Sequence, residues 1–368
     1  MKIAFICGSL ENGKDGVGDY TRQLASELIK NKDSILLIAL NDPFQKDIFS
    51  EVQRLGDNQI EILRIPRTLK EIERVVRAKE YIQTFKPDWI SLQFVPYSFQ
   101  EKGLPFSFPK AIKELGDFRW HIMFHELWID KPEKMSHRLF SFLQKQIIKK
   151  VVSVLRPSLI HVSIPFNQQR LKQIHIQSQL LELFGNVPYE ANPDAANLSL
   201  PKSQNNTLLY FGSAPKGTYL EMVVTGINDF YKKSGKPIHL ILISSESESK
   251  QTFIRRLKEV LTPIHGTITD CGFVETNILS GIMSCCTAGI ARSEPHLLGK
   301  SGTAIAMLEH GLPIWLPKWK EAETTLPYSF RSELVYSNLT SAMSAVHQGY
   351  CSKLGDVTNQ FISQLNNH

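Results

Sequence analysis

Lys2-Ile3-Ala4-Phe5-Ile6-Cys7-Gly8-Ser9-Leu10-Glu11-Asn12-Gly13-Lys14-Asp15-Gly16-Val17-Gly18-Asp19-Tyr20 holds the pattern that decides the fold. Ile3 to Cys7 is an unbroken apolar run, too short for the core of a signal peptide and of the right length for a strand buried on both faces. A glycine-bearing loop follows. Tyr20, Leu24 and Leu28 then fall on one face of a helix that Asp19 can cap. Strand, loop and helix in this order are the building unit of a parallel sheet.

Working outward, the unit recurs. Ser34 to Leu40, Ile60 to Ile65, Trp89 to Phe94, Trp120 to Phe124 and Leu159 to Ile164 are further apolar runs, each followed by a stretch of helical periodicity such as the one carrying Ile72, Val75, Val76 and Ile82 on one face. From about Gly185 to Asn206 periodicity stops, and Pro, Asn, Asp and Ser predominate. The alternation resumes at Thr207 to Phe211, Pro237 to Ile243, Thr267 to Cys271, Ala288 to Ala291 and Pro313 to Leu316. The expected organisation is two doubly wound α/β domains with parallel sheets facing a cleft. Their expected bounds are residues 1–185 and 207–350, with a linker over 186–206. Residues 351–368 are expected to form a terminal helix that crosses back to the first domain.

Composition narrows the class. The chain has 368 residues, 42% apolar and 21% charged, which calls for more than one core. Lys and Arg outnumber Asp and Glu by 42 to 36. That mild excess is spread along the chain, so it suits an anionic ligand or an acidic membrane surface and argues against nucleic acid. The five cysteines include no C-x-x-C pair, which points to a reduced, cytoplasmic protein without structural zinc. No apolar run approaches the ~18 residues of a membrane span.

Two segments carry candidate chemistry. The glycines between Gly8 and Gly18 let backbone approach a ligand, and the helix behind them offers N–H groups to an anion or a sugar hydroxyl. Their spacing is not G-x-G-x-x-G, which disfavours a dinucleotide cofactor. In Ala291 to Pro313, Ser301 can cap a helix that stops at Gly311. The N–H groups of Gly302 and Thr303, the Ser301 and Thr303 hydroxyls and the Lys300 ammonium then surround one point that fits a phosphate. The same residues also read as an ordinary capped helix. His125 and Glu126 are candidates for acid/base work, although neighbours on a strand point to opposite faces. Cys285 and Cys286 read as packing in a helix. Arg138 to Arg156 combines apolar residues with Lys145, Lys149 and Lys150. It reads as a helix on its sheet, with an acidic membrane surface as the alternative and peripheral attachment at the inner face of the membrane as its consequence.

The ordered set Gly16-Val17-Gly18-Asp19-Tyr20-Thr21-Arg22-Gln23-Leu24-Ala25, Leu92-Gln93-Phe94-Val95-Pro96-Tyr97, Phe124-His125-Glu126-Leu127-Trp128 and Ala306-Met307-Leu308-Glu309-His310-Gly311-Leu312-Pro313 resembles the bacterial glycosyltransferases of family four. The resemblance implies a GT-B fold with an acceptor in the first domain and a nucleotide-sugar donor mainly in the second. It implies donor contacts from Gly16 and Gly18, from Ser213 and Lys216 after the first strand of the second domain, and from Gly272, Phe273 and Val274 around the base. Ser301, Gly302, Thr303 and Glu309 join them. His125 matches a histidine of the family that contacts the donor sugar, and with Lys300 and Glu294 it is expected among the catalytic residues, while Asp19, Tyr20, Gln93, Tyr97 and Glu126 are expected on the acceptor side. One departure stands out: aligned on Gly311-Leu312-Pro313, the family's Glu-x7-Glu pair falls on Leu298 and Ala306, neither of which can accept a sugar hydroxyl.

The implied activity is sugar transfer from a nucleoside diphosphate sugar, with UDP or GDP expected, to a hydroxyl acceptor that is a glycan, lipid-linked or a small molecule. Polysaccharide or glycoconjugate synthesis is the setting it implies. Retention and independence of metal follow from the resemblance, and no paired-Asp motif is present. No cofactor is expected. A nucleotide-sugar epimerase and a non-catalytic scaffold subunit remain open as alternatives.

Overall fold

Strands form where apolar side chains occupy both faces of the chain. Ile3, Ala4, Phe5 and Ile6 are fully buried, as the quoted run requires. The computed structural model describes residues 1–55, 58–130, 132, 134–190, 206–322 and 325–368. Most of the linker expected at 186–206 therefore lies outside the described residues. The chain divides into two units, one of Met1–Glu182 with Leu354–His368 and one of Leu183–Lys353.

Among the described residues the first unit has an eight-stranded sheet. Its strands are β1 (Lys2–Cys7), β2 (Ser34–Asp42), β3 (Phe49–Leu55), β4 (Asn58–Pro66), β5 (Trp89–Phe94), β6 (Trp120–Phe124), β7 (Leu159–Val162) and β8 (Gln179–Leu180), in the spatial order β3-β4-β2-β1-β5-β6-β7-β8. All neighbours are parallel except β3 and β4, which form an antiparallel edge hairpin absent from the sequence reading. Phe49 and Val52 of β3 are exposed, so the described side chains of this strand show no buried apolar face to announce it.

The two faces of the sheet differ. Ala4, Ile6, Leu36, Ile38, Ile90, Leu92, Phe94, Ile122 and Phe124 form an apolar core on one of them. Alternate positions of β5, β6 and β7 place Ser91, Gln93, His121 and His161 on the other, where the register pairs Ser91 with His121 and Met123 with His161. The helix Gly16–Lys30 and the terminal helix Leu354–Asn366 pack on each other. Phe361 of the latter meets the rings of Phe5, His121 and His161.

Three local expectations need correction. The cap of helix Gly16–Lys30 is Asp15, whose Oδ1 accepts from the N–H groups of Val17 and Gly18 at 2.9 and 3.2 Å. Asp19 sits inside the first turn, where its Oδ1 accepts from the Gly13 N–H instead. In helix Glu71–Phe85 the buried face is Arg74, Val75, Ala78, Ile82 and Phe85, while Ile72 and Val76 are exposed. Arg74 is drawn inward because its guanidinium donates to the Leu40 carbonyl. Cys285 ends its helix exposed, and only Cys286 is packed inside.

Helix Met135–Leu155 packs on the core of its unit, as the first of its two readings expects. Its second half buries Ile147, Ile148 and Val151 against the core, whereas Met135, Leu139 and Phe142 in its first half are exposed. No helix among the described residues is long and apolar enough to cross a membrane.

The second unit has a six-stranded parallel sheet among the described residues. Its strands are β9 (Thr207–Phe211), β10 (His239–Ile243), β11 (Thr267–Asp270), β12 (Ala288–Ile290), β13 (Ile314–Trp315) and β14 (Val335–Tyr336), ordered β11-β10-β9-β12-β13-β14. Leu208, Tyr210, Leu240 and Ile290 pack into a core on one face, and Leu209, Ile241, Ile243 and Ile314 into another on the opposite face.

Candidate functional site

In an open parallel sheet, the loops at the carboxyl ends of the strands make a crevice where the order of growth reverses. The first sheet reverses between β1 and β5, the second between β9 and β12. Candidate residues gather at both places.

At the first reversal, the loops after β1, β2, β4 and β5 enclose a cavity of about 300 Å³. Gly8, Ser9, Lys14 and Asp15 line it from the glycine loop, Asn41 and Arg67 from beside it, and Tyr97 and Glu101 from the segment after β5. A buried carboxylate fixes the loop. Asp42 is fully buried, accepts from the Ser9 hydroxyl at 3.0 Å and pairs with Arg64 Nε at 2.7 Å. Arg64 Nη2 continues to Glu11 at 2.5 Å. Burial raises the Asp15 and Asp19 carboxyls above their usual range.

Gly16 and Gly18 differ. A methyl group on Gly18 would stand 2.5 Å from the Ser9 carbonyl oxygen, so this glycine lets the helix lie close against the loop. At Gly16 no described atom lies within 4 Å of such a methyl group, so that position is open to a ligand.

Tyr20, Gln93 and His125 come together although they are far apart in sequence. His125 follows β6, its backbone N–H donates to the Phe94 carbonyl, and its Nε2 lies 2.8 Å from Gln93 Oε1. The Tyr20 ring meets the imidazole edge-on at 5.0 Å. Gln93 is 1% exposed and its amide nitrogen donates to Ser91, which turns this residue away from the acceptor contact expected of it. Tyr97, in contrast, is exposed and lines the cavity. Glu126 is half-buried beside His125.

In the second unit, Ser213 follows β9, and Arg292 and Glu294 follow β12, on the two sides of the reversal. Arg292 Nη1 donates to the Ser213 carbonyl at 3.1 Å, and the Tyr210 hydroxyl donates to the same oxygen at 2.7 Å. The Tyr219 hydroxyl donates to the Ala291 carbonyl at 2.9 Å, and Lys318 pairs with Glu294 at 2.5 Å. Burial pushes the phenols of Tyr210 and Tyr219 up, so both are neutral donors. Lys216 stands exposed at the start of helix Gly217–Ser234. Lys216, Arg292 and Lys318 thus come from three loops at one edge of the sheet. Arg292 and Lys318 were missed in the sequence because neither belongs to a motif.

Ser301 caps helix Gly302–Glu309 by accepting from the Ala304 N–H at 3.3 Å, and its hydroxyl lies 3.2 Å from that of Thr303. Lys300 is half-buried just before the cap. Glu309 departs from the expected donor contact. It is 2% exposed, and its carboxylate accepts from the backbone N–H groups of Lys353, at 2.8 Å, and Gly185. Burial raises its carboxyl. Gly272, Phe273 and Val274 form the turn after β11. Gly272 has φ +63, Phe273 is 68% exposed, and Val274 packs on the core beneath. No group of three His, Cys, Asp or Glu side chains that could hold a metal occurs among the described residues.

No protein-family model matches the chain, and no curated protein matches it in sequence. Solved structures do match. The sucrose-phosphate synthase of Thermosynechococcus elongatus is 18% identical at a TM-score of 0.57, over 86% of this chain and 80% of that one. Anabaena HepE, solved with UDP and glucose, is 12% identical at 0.57 over the whole of both chains. The UDP-GlcNAc 2-epimerase of Methanocaldococcus jannaschii is 11% identical at 0.55, again over both whole chains.

The fold is GT-B. Both sheets of this GT-B chain are Rossmann-like; Gly16, Tyr97, Ser213, Arg292 and Glu294 follow the strands that flank the reversals of order, whereas His125 follows β6 and Gly272 to Val274 follow β11.

Proposed function

We propose that this protein is a glycosyltransferase that moves a sugar from a nucleoside diphosphate sugar, with UDP or GDP as the nucleotide, to a hydroxyl acceptor. The observation that carries the reading is the placement of Arg292 against the Ser213 carbonyl across the reversal between β9 and β12. A guanidinium held at this point by the neighbouring loop is preorganised for a diphosphate.

When the bond from sugar to diphosphate breaks, negative charge grows on the leaving diphosphate. Arg292, Lys216 and Lys300, with the N–H groups of Gly302 and Thr303, stabilise that charge more in the transition state than in the ground state. Glu294 orients Lys318 by ion pairing. The turn at Gly272, Phe273 and Val274 receives the nucleotide base. In the first unit, Gly16 and the cavity carrying Tyr97 receive sugar and acceptor, and His125 contacts a sugar hydroxyl. The leaving diphosphate oxygen takes the acceptor proton, so no protein nucleophile is needed and the anomeric configuration is retained. No metal is assigned a step.

A thermal-shift panel with UDP, GDP, ADP, dTDP and NAD tests the donor site, because a ligand bound only to the native state raises the melting temperature. A rise with one nucleoside diphosphate supports the reading. Silence across all four, or a rise with NAD alone, overturns it. The fold shared with the Methanocaldococcus epimerase favours nucleotide-sugar epimerisation as the second reading. Product analysis with the matching nucleotide sugar separates the two.

A further inference from the structure

We propose that a cavity beside the first half of helix Met135–Leu155 takes the phosphate of an anionic phospholipid, and that the exposed apolar stripe next to it sits in the lipid surface. The site stands at the carboxyl ends of β6 and β7, away from the reversal between β1 and β5, and its role goes beyond sugar transfer.

Helical spacing lets one element serve both parts. Met135, Leu139 and Phe142 follow one another by four and three residues, so they fall on one stripe of the helix. Arg138, Phe142 and Lys145 repeat that spacing one step round. An apolar stripe and a basic one thus run side by side and share Phe142. Met135 is 77%, Leu139 56% and Phe142 55% exposed, whereas Ile147, Ile148 and Val151 in the second half are buried.

The basic stripe is one wall of a cavity of about 420 Å³. The loop after β6 and helix Pro165–Lys172 after β7 form the others. This loop is tied to the long helix: the Ser141 hydroxyl donates to the Ile129 carbonyl at 2.9 Å, and Gln144 Oε1 accepts from the Ile129 N–H at 3.0 Å. The Arg170 guanidinium lies 4.6 Å from the centre of the Trp128 ring and donates to the Trp128 carbonyl at 2.6 Å. Lys145 Nζ lies 5.2 Å from the centre of the same ring. Two cations therefore share one indole.

Negative charge is short in this cavity. Arg138, Lys145 and Arg170 line it with one carboxylate, that of Asp130, among the described residues. Burial depresses the Arg170 guanidinium, and Asp130 offsets only part of that effect. An arginine still keeps its proton in a protein, so Arg170 remains a buried cation short of counter-charge. A phosphate placed among the three cations supplies it through charge-assisted hydrogen bonds.

Charge and apolar exposure together name the occupant. A free anion leaves Met135, Leu139 and Phe142 in water, and an uncharged lipid surface gives the cations nothing to bind. An anionic phospholipid answers both, because phosphate and acyl chains belong to one molecule and an amphipathic helix lies at the level where they meet.

The test is sedimentation of the full chain with vesicles of phosphatidylcholine, alone and mixed with phosphatidylglycerol. Binding is expected to the mixed vesicles only. Arg138→Gln and Lys145→Gln are each expected to weaken it about fivefold, the order for one basic residue at an anionic surface. Leu139→Ser with Phe142→Ser is expected to weaken it by about tenfold or more through the apolar area lost. Leu139 and Phe142 are exposed, so melting curves should stay in place and separate lost binding from lost folding. Lys232→Gln with Lys233→Gln removes exposed lysines from the second unit and is expected to leave binding unchanged.

Equal binding to phosphatidylcholine alone, or binding to neither vesicle, overturns the proposal. So does unchanged binding in Lys145→Gln and Arg138→Gln, or an equal loss in the Lys232 and Lys233 variant, which would trace the effect to overall charge. A melting temperature that rises with inorganic phosphate, without binding to the mixed vesicles, makes the cavity a free-anion site and overturns the lipid assignment. No nucleotide or sugar enters these measurements, so their failure and a failure of the nucleotide panel are separate results.

Discussion

Arg292 and Ser213 are 79 residues apart, yet the guanidinium of one donates to the carbonyl oxygen of the other at 3.1 Å. The contact joins the loops that follow β9 and β12. It fixes a cation that the side chain's own length would otherwise leave mobile. The Tyr210 hydroxyl bonds the same oxygen, so the loop keeps its shape when the arginine is removed.

Replacing Arg292 should therefore act on the ligand and leave the fold in place. Arg292→Ala is expected to weaken binding of the nucleoside diphosphate by about tenfold, the size of one charge-assisted hydrogen bond. Titration calorimetry beside a melting curve checks this. An unchanged dissociation constant removes Arg292 from the donor site.

Asp42 holds the glycine loop through Ser9 and Arg64. Asp42→Ala leaves the Arg64 guanidinium without its buried partner, a change that costs about 3 kcal/mol or more where a buried pair is broken from one side. Urea unfolding should show that loss. Destabilisation below ~1 kcal/mol would mean that Glu11 alone satisfies Arg64.

Gly16 and Gly18 should respond in opposite ways to the same substitution. Gly18→Ala drives a methyl group into the Ser9 carbonyl and should lower the melting temperature by several degrees, as overpacking of about 1–3 kcal/mol does. Gly16→Ala meets no described atom, so the melting temperature should hold while ligand affinity falls. Equal melting losses in both variants would contradict the assignment of Gly16 to ligand approach.

The histidine pair gives stability a pH dependence of known sign. His161 has its pKa lowered to about 4, chiefly by burial, while in the unfolded chain an imidazole titrates near ~6.5. Between those values the unfolded chain binds a proton that the folded chain refuses, so stability is full above the upper value and falls as the pH drops toward the lower one. Each such group contributes a slope of up to ~1.4 kcal/mol per pH unit. Urea unfolding from pH 7 to 4.5 should give a shallower slope for His161→Gln than for the unmodified chain. Equal slopes would show that His161 titrates normally in the folded protein.

The strands were legible because burial on both faces leaves a run of apolar letters, as in Ile3 to Cys7 and Trp120 to Phe124. The edge strand β3 was not, since its apolar residues Phe49 and Val52 face solvent. Asp19 looked like the helix cap by its position before an apolar face. Asp15 takes that role because its side chain reaches the N–H groups of Val17 and Gly18.

The candidate site was legible only where its residues are neighbours in sequence, as at Ser301 to Thr303. Gln93 and His121 are polar letters inside strands, and their meaning depends on a strand register that no local pattern states. Arg292 and Lys318 took their places only when the loops of one sheet edge were brought together. Leu298 and Ala306, on which the expected glutamate pair aligns, are both fully buried, so no carboxylate is concealed at those positions.

The helix Leu354–Asn366 belongs to the unit that the first 182 residues build, with the second unit's stretch of chain between them. Emerging from the ribosome, the first unit thus waits for its final piece until the whole of the second has been made. During that interval Phe5, His121 and His161 lack the ring of Phe361. The nascent first unit is open to chaperones and proteases for as long as the second takes to synthesise, and an early stop before Leu354 would leave it in that state permanently.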